Sequence, residues 1–194
     1  MEFKSYQNEF FCNSFLSNEK EVTRITVSGT KKYLLLLDDR KTHDLTLLFD
    51  IKENSSLLLK LFISSSSKIN IFINHEGMKS ISNIHANMIA KNETIDVKVT
   101  SRINEGIKFC ETHEYLKGII TGKGKINHFP ILDIFDNDNI GSHSSAIGHF
   151  DIETLFYLNS RGLSNRKAIK LLYNSYKNEI LDGFNYRSLK KEGA

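Results

Sequence analysis

The chain has 194 residues, 40% of them hydrophobic and 25% charged, with a formal net charge of +3. That is the make-up of a globular chain large enough to bury its own core without a disulfide or metal staple. The charge is mild and the basic pairs Lys31-Lys32 and Lys190-Lys191 are short, which argues against a nucleic-acid surface.

Cys12 and Cys110 are the only cysteines and stand far apart, a usage that fits a reducing compartment and not a secreted disulfide scaffold. The first residues, Met1 to Glu9, are polar and carry acids, unlike a signal peptide. No apolar run approaches the roughly 18–20 residues of a membrane-spanning helix. The expectation is a soluble intracellular protein with neither nucleic acid nor membrane as a partner.

Met1 to about Glu21 shows no clear period, and Phe10, Phe11, Phe15 and Leu16 fit a helix turn or a strand packed on the end of the core. From Val22 the pattern becomes one of short strands: Val22–Val27, Tyr33–Leu37, Leu45–Ile51, Leu57–Ile63 and Ile69–Ile73. Ile81, Ile84 and Ile89 then lie in a Ser/Asn-rich segment, followed by strands at Ile95–Val99, Tyr115–Thr121 and Ile131–Phe135. Such even spacing with polar or Gly turns is the mark of an all-β body. A sandwich, a barrel and a solenoid of stacked coils all satisfy it. The strands lack two-residue Asn-Gly or Asp-Gly turns between them, and Asn and Ser are common at the corners, which favours the solenoid.

At the C-terminal end the period lengthens from two to three or four. Asp151 reads as an N-cap before a helix whose apolar face is Ile152, Leu155 and Phe156, with Arg161-Gly162 as its stop. Ser164 opens a second helix whose buried stripe is expected at Ala168, Ile169, Leu172, Tyr173, Tyr176 and Ile180. The two make a helical hairpin that must dock on the β body or on a partner.

Few residues point to chemistry. Gly122-Lys123-Gly124-Lys125 lacks the spacing of a phosphate loop and reads as a β-turn. Cys110 and His113 would face opposite sides of a strand, so a metal pair there is disfavoured against a structural role. His75, His85 and His128 sit among polar residues and read as solvated turn histidines. His143 is set differently: Ser142, Ser144, Ser145 and Ala146 leave its ring unshielded. It is either an ordinary surface or interface histidine or a metal ligand completed by another chain, since no thiol lies nearby.

The run Ser142-His143-x-x-x-Ile147-Gly148, then Glu153-x-Leu155-Phe156-Tyr157-Leu158-x-Ser160-Arg161-Gly162-Leu163, then Ala168, Leu171-Leu172, Tyr176 and Glu179-Ile180-Leu181 resembles the C-terminal signature of the SufB/SufD scaffold proteins of the SUF iron–sulfur cluster assembly system. Leu116-Lys117-Gly118-Ile119-Ile120 and Pro130-Ile131-Leu132-Asp133-Ile134 are similar to the family's preceding strand and last coil. The resemblance implies a mainly β fold, a right-handed parallel β-helix with a short C-terminal α-helical hairpin. The chain then divides into a β-helix body (22–150) and a helical domain (151–194), and the N-terminal segment (1–21) is the candidate cap for the open end that a solenoid must cover.

For function the resemblance implies a non-enzymatic, SufD-like and shortened scaffold subunit. It would pair with a SufB-like subunit through the β-helix, a second copy of the chain being the alternative partner, and dock a SufC-like ABC ATPase through Phe156, Tyr157, Arg161 and Gly162. His143 would be a ligand of a nascent iron–sulfur cluster, held transiently and shared with the partner chain. Gly141 stands where SufD-type members often carry a cysteine, and Ser144-Ser145-Ala146 replaces Gly-Ala-Thr. The location implied is the cytoplasm or a plastid-type organelle. Two other functions stand beside this one: a degenerate paralogue serving only as an interaction module, and a small metal-dependent enzyme using Cys110, His113 and His143.

Overall fold

The computed structural model describes residues 4–6, 9–12 and 21–184. Twelve strands and two helices follow one another: β1 (Lys4–Tyr6), β2 (Glu9–Cys12), β3 (Glu21–Val27), β4 (Thr30–Leu37), β5 (His43–Ile51), β6 (Ser56–Ile63), β7 (Ser67–His75), β8 (Ile81–Ala90), β9 (Thr94–Ile103), β10 (Glu111–Ile120), β11 (Lys125–Ile134), β12 (Ile140–Gly148), α1 (Ile152–Ser160) and α2 (Asn165–Leu181). From β3 onward the strands alternate between two sheets. One has the order β1-β2-β4-β6-β8-β10-β12 and the other β11-β9-β7-β5-β3. Every pairing is parallel except the short β1–β2 hairpin. Each pair of successive strands is therefore one coil, and five coils stack into a solenoid. Phe15 and Leu16 lie outside the described residues.

Period-two patterning makes the stack. Leu45, Leu47, Phe49 and Ile51 on β5 are buried and sit in register beside Ile69, Ile71, Ile73 and His75 on β7. Leu57, Leu59, Leu61 and Ile63 do the same on the facing sheet. Burying one such side chain contributes about 1.5–3 kcal/mol, and a one-residue slip would turn the whole set outward. Coil length is not constant. Asp50 and Asn74, stacked outside the early coils, are 24 residues apart, and Asp96 and Asn127 in the late ones are 31 apart. The growth explains why no strict repeat is visible in the sequence.

Two strands differ from their sequence reading. β11 begins six residues before Ile131 and runs through Pro130. The N–H groups of Lys125 and Phe135 donate to Glu93 O and Ile103 O, so odd positions of β11 face β9. Pro130, at an even position, has its missing donor on the free side, where a strand tolerates proline. β12 covers Ile140–Gly148, a stretch too poor in apolar residues to read as a strand.

The lumen is not wholly apolar. His75, fully buried, bonds through Nδ1 to Ser80 Oγ at 2.7 Å and through Nε2 to Ser82 Oγ at 3.0 Å. Ser82 donates to Thr112 Oγ1 at 2.7 Å, and Ser80 Oγ lies 3.2 Å from Cys110 Sγ. One coil on, Ser101 donates to buried Glu114 Oε1 at 2.6 Å. Burial holds the His75 ring at about 4 and pushes the Glu114 carboxyl up to about 7, because each charged form would lose its hydration.

α2 lies across the outside of the seven-stranded sheet. Ile180 packs with Leu34, Leu36, Phe62 and Ile89, flanked by Tyr173, Tyr176, Leu181 and Phe184. The Tyr173 ring meets Phe62 edge-on at 5.5 Å and its hydroxyl donates to Ser64 Oγ at 2.9 Å. Lys177 pairs with Asp38 and Lys117 with Glu179. Ala168 and Ile180 are buried as the spacing requires, but Ile169 is left 38% exposed. Asp151 caps α1 by accepting from Thr154 N at 2.8 Å, whereas Ser164, in the N-cap position of α2, makes no side-chain capping bond. Among the described residues no helix is long and apolar enough to cross a membrane.

Two outcomes are expected. Phe62→Ala, which empties the seat of α2, should cost about 3–5 kcal/mol, and limited proteolysis should then cut between β12 and α2 before it cuts the solenoid. The second concerns acid. The neutral His75 binds fewer protons folded than unfolded between pH 4 and 6.5, so it makes stability fall on acidification; Glu114 binds more protons folded between 4.5 and 7, so it does the reverse. Denaturant titrations at pH 5 and 7 should show Glu114→Gln losing more stability on acidification than the wild type, and His75→Gln losing less or gaining.

Candidate functional site

The last coil is where the solenoid is left open. β12 pairs with β10 on one side only, and all nine of its residues are exposed. The Ile140 N–H donates to Cys110 O at 2.9 Å, so even positions of β12 bond to β10. Residues along a strand point their backbone groups to alternate sides, and Gly141, His143, Ser145 and Ile147 therefore present N–H and C=O groups at a free edge. Edges are commonly guarded by charge, proline or a bulge. This one, Ile-Gly-Ser-His-Ser-Ser-Ala-Ile-Gly, carries no Asp, Glu, Lys, Arg or proline.

The same odd positions turn their side chains toward the lumen. His143 is in register beside buried Glu114, Gly141 beside Thr112, and Ser145 beside Leu116. A Cβ built on Gly141 would come 2.2 Å from Ile134 Cδ1 and 3.3 Å from Leu132 Cδ1, so Ile134 fills the space that a side chain at 141 would take. Ser145 Oγ lies 3.0 Å from His128 Nδ1 and ties β12 to β11 across the mouth. His143 thus sits in the middle of an uncharged open edge, on the lumen side, with its ring exposed.

Other sequence candidates separate in space. Cys110 is fully buried, with its Sγ 3.2 Å from Ser80 Oγ. His113 lies on the outer face, where Nδ1 is 2.7 Å from Ser142 Oγ. Neither joins His143, and among the described residues no three His, Cys, Asp or Glu side chains come together as a metal site. The reading of His75, His85 and His128 as solvated turn histidines is corrected: all three are on strands. His75 is enclosed, His85 stacks on Tyr115 at 4.8 Å, and His128 is half-buried at the mouth. Polar neighbours hid them, because in a narrow solenoid Ser and Asn alternate with lumen residues instead of marking turns. Glu114 was also missed, although its place between Thr112 and Leu116 in an alternating pattern marks it as inward-facing.

The helical hairpin supplies a second surface. No residue of α1 is buried. Ile152 is 79% exposed, Phe156 73% and Tyr157 56%, far more apolar surface than a helix leaves to water when its own chain supplies the partner. The Arg161 guanidinium stacks over the Tyr157 ring at 5.2 Å, and Gly162 adopts φ +90° to turn the chain into α2, a conformation disfavoured for any side-chain-bearing residue. Phe156, Tyr157, Arg161 and Gly162 therefore lie together at the end of α1, on the surface.

Comparison with known proteins bears on both surfaces. A family model described as the SufBD core domain of the SUF system for FeS cluster assembly matches residues 64–176, more than half of the chain. The iron-sulfur cluster assembly protein SufD of Escherichia coli is 23% identical over 137 residues, 54% of this chain and 32% of that protein. The SufBD family protein ycf24 of Galdieria sulphuraria is 26% identical over 111 residues, 55% of this chain and 49% of its own length. A SufBD family protein of Mycobacterium leprae is 36% identical over 73 residues, 37% of this chain and 19% of its own. The chain thus spans between a fifth and a half of these relatives. The match runs from the third coil into α2, through the open mouth and the exposed helix, and the chain belongs to the SufB/SufD family of iron–sulfur cluster assembly proteins.

Proposed function

We propose that this chain is a SufD-like scaffold subunit of SUF iron–sulfur cluster assembly that performs no covalent chemistry of its own. It pairs through its last coil with a SufB-like subunit, or with a second copy of itself. The single observation that carries this reading is the β12 edge: unguarded, uncharged, with His143 at its centre. An incoming strand would satisfy the outward N–H and C=O groups of Gly141, His143, Ser145 and Ile147. The pairing would also cover Ile140 and Ile147, both about half exposed.

In that seam the cluster is cargo. His143 supplies one imidazole and the partner the remaining ligands. Phe156, Tyr157, Arg161 and Gly162 form the docking surface of a SufC-like ABC ATPase, whose closure would lever the helices and shift the seam. α2 is fastened to the sheet by Phe62, Tyr173 and Lys177, so force applied at α1 reaches the coils. The cytoplasm or a plastid-type organelle is the expected setting. The metal-dependent enzyme finds no support, since Cys110, His113 and His143 occupy the lumen, the outer face and the mouth.

Three variants test the reading. His143→Ala should strip iron and sulfide from the reconstituted scaffold pair while leaving the pair intact; unchanged cluster retention would favour an interaction module with an idle histidine. Ser145→Pro removes a donor from the free edge but none from the β10 ladder, as Pro130 does in β11. It should weaken pairing by about tenfold or more, the worth of one or two hydrogen bonds, with the coil still folded by circular dichroism. Phe156→Ala with Tyr157→Ala should abolish co-purification of the ATPase and spare the scaffold pair; retained ATPase would remove the docking assignment.

A further inference from the structure

The residue behind His143 is the most anomalous one in the lumen. The parallel β10–β12 register sets Glu114 directly beside His143, on strands about 4.8 Å apart, with both side chains on the lumen face. Glu114 is fully enclosed. Its Oε1 accepts from Ser101 at 2.6 Å, while Oε2 is buried with no hydrogen-bond partner. A stranded acceptor of this kind works against folding, because it gives up its water and gains no hydrogen bond. Two positions along β10, Leu116 faces the same lumen and leaves no polar atom to satisfy. An apolar residue at 114 would therefore serve the fold better than the carboxyl does.

What the carboxyl offers is a free acceptor on the strand next to the last coil. Of the two imidazoles on the lumen side there, His128 is engaged by Ser145, and His143 is exposed and in the adjacent register position. We propose that Glu114 is a positioning residue for His143: the ring turns inward, donates one N–H to Glu114 Oε2, and presents its other nitrogen, unprotonated, to the subunit seam. The two ring nitrogens are distinct, and the hydrogen bond made by one decides which is free to bind a metal. Carboxylate partners of this sort fix tautomer and ring orientation in metal-ligating histidines. The inference rests on the reading of His143 as a cluster ligand, and it gives a use to a carboxyl at a site that the fold alone would fill with leucine.

The experiment combines a readout on the full chain with one on the scaffold pair. In 15N NMR of the chain, the neutral His143 ring should populate mainly one tautomer. Glu114→Leu should return it to an ordinary mixture. Glu114→Gln, whose carbonyl stays with Ser101 and whose NH2 then faces the ring, should favour the opposite tautomer. With the partner subunit, both variants should retain about tenfold less iron after reconstitution, while folding with at least the wild-type thermal stability. If neither variant moves the tautomer or the iron, and His143→Ala still strips the iron, the positioning role is overturned and the ligand reading stands. If His143→Ala itself keeps all its iron, both fall together.

Discussion

Everything in this molecule depends on the in-register stacking of parallel strands. Because each coil lays its residues directly on those of the coil before, a side chain's surroundings are set by the residues one coil earlier and one coil later. Leu45, Ile69 and Val97 make one continuous apolar row, and the row ends where a coil has no successor. His128 continues that row, and at the mouth Ser145 holds it. The last coil is therefore polar, exposed and incomplete for a reason inherent in solenoids: stacking satisfies every strand except the terminal ones.

The two terminal strands at this end solve the problem differently. β11 places Pro130 at an outward position, which removes a donor and discourages pairing. β12 places glycine, serine and histidine there, with no charge or proline to repel an incoming chain. Of the two, β12 is thus the edge able to accept a further strand, as the proposed pairing requires. The lumen behind it is also unusual, holding His75, Ser82, Thr112, Ser101 and Glu114 where the early coils hold leucine, isoleucine and phenylalanine. Stability is thus concentrated in the first coils and polar groups in the later ones, close to the open end.

The helical hairpin links that stack to the outside. α2 is held by a small apolar cluster on β4, β6 and β8 and by ion pairs to Asp38 and to Lys117 of β10, while no residue of α1 is fully buried. On the proposed reading, a fastened helix next to an exposed apolar one is the arrangement that would pass a docked ATPase's motion to the coils. Neither helix alone has it: the seat is made by Leu34, Leu36, Phe62 and Ile89 from three different coils.

Sequence alone determined the period of each segment and therefore the class of fold. Alternation in Leu45–Ile51 and Ile69–Ile73 gave strands, the three-to-four spacing after Asp151 gave two helices, and the order of residues from His143 to Leu181 gave the family. These are local properties, written in neighbours a few positions apart. Only the tertiary structure decided that the nine residues from Ile140 to Gly148 form a strand, that Pro130 sits inside another, and that Ile169 is left exposed. Glu114 beside His143 belongs to the same group. For the strand residues the deciding neighbour is about 30 residues away on the adjoining coil, for Ile169 it is the sheet face beneath α2, and coils that lengthen from 24 to 31 residues erase the fixed repeat that would have let the sequence announce it.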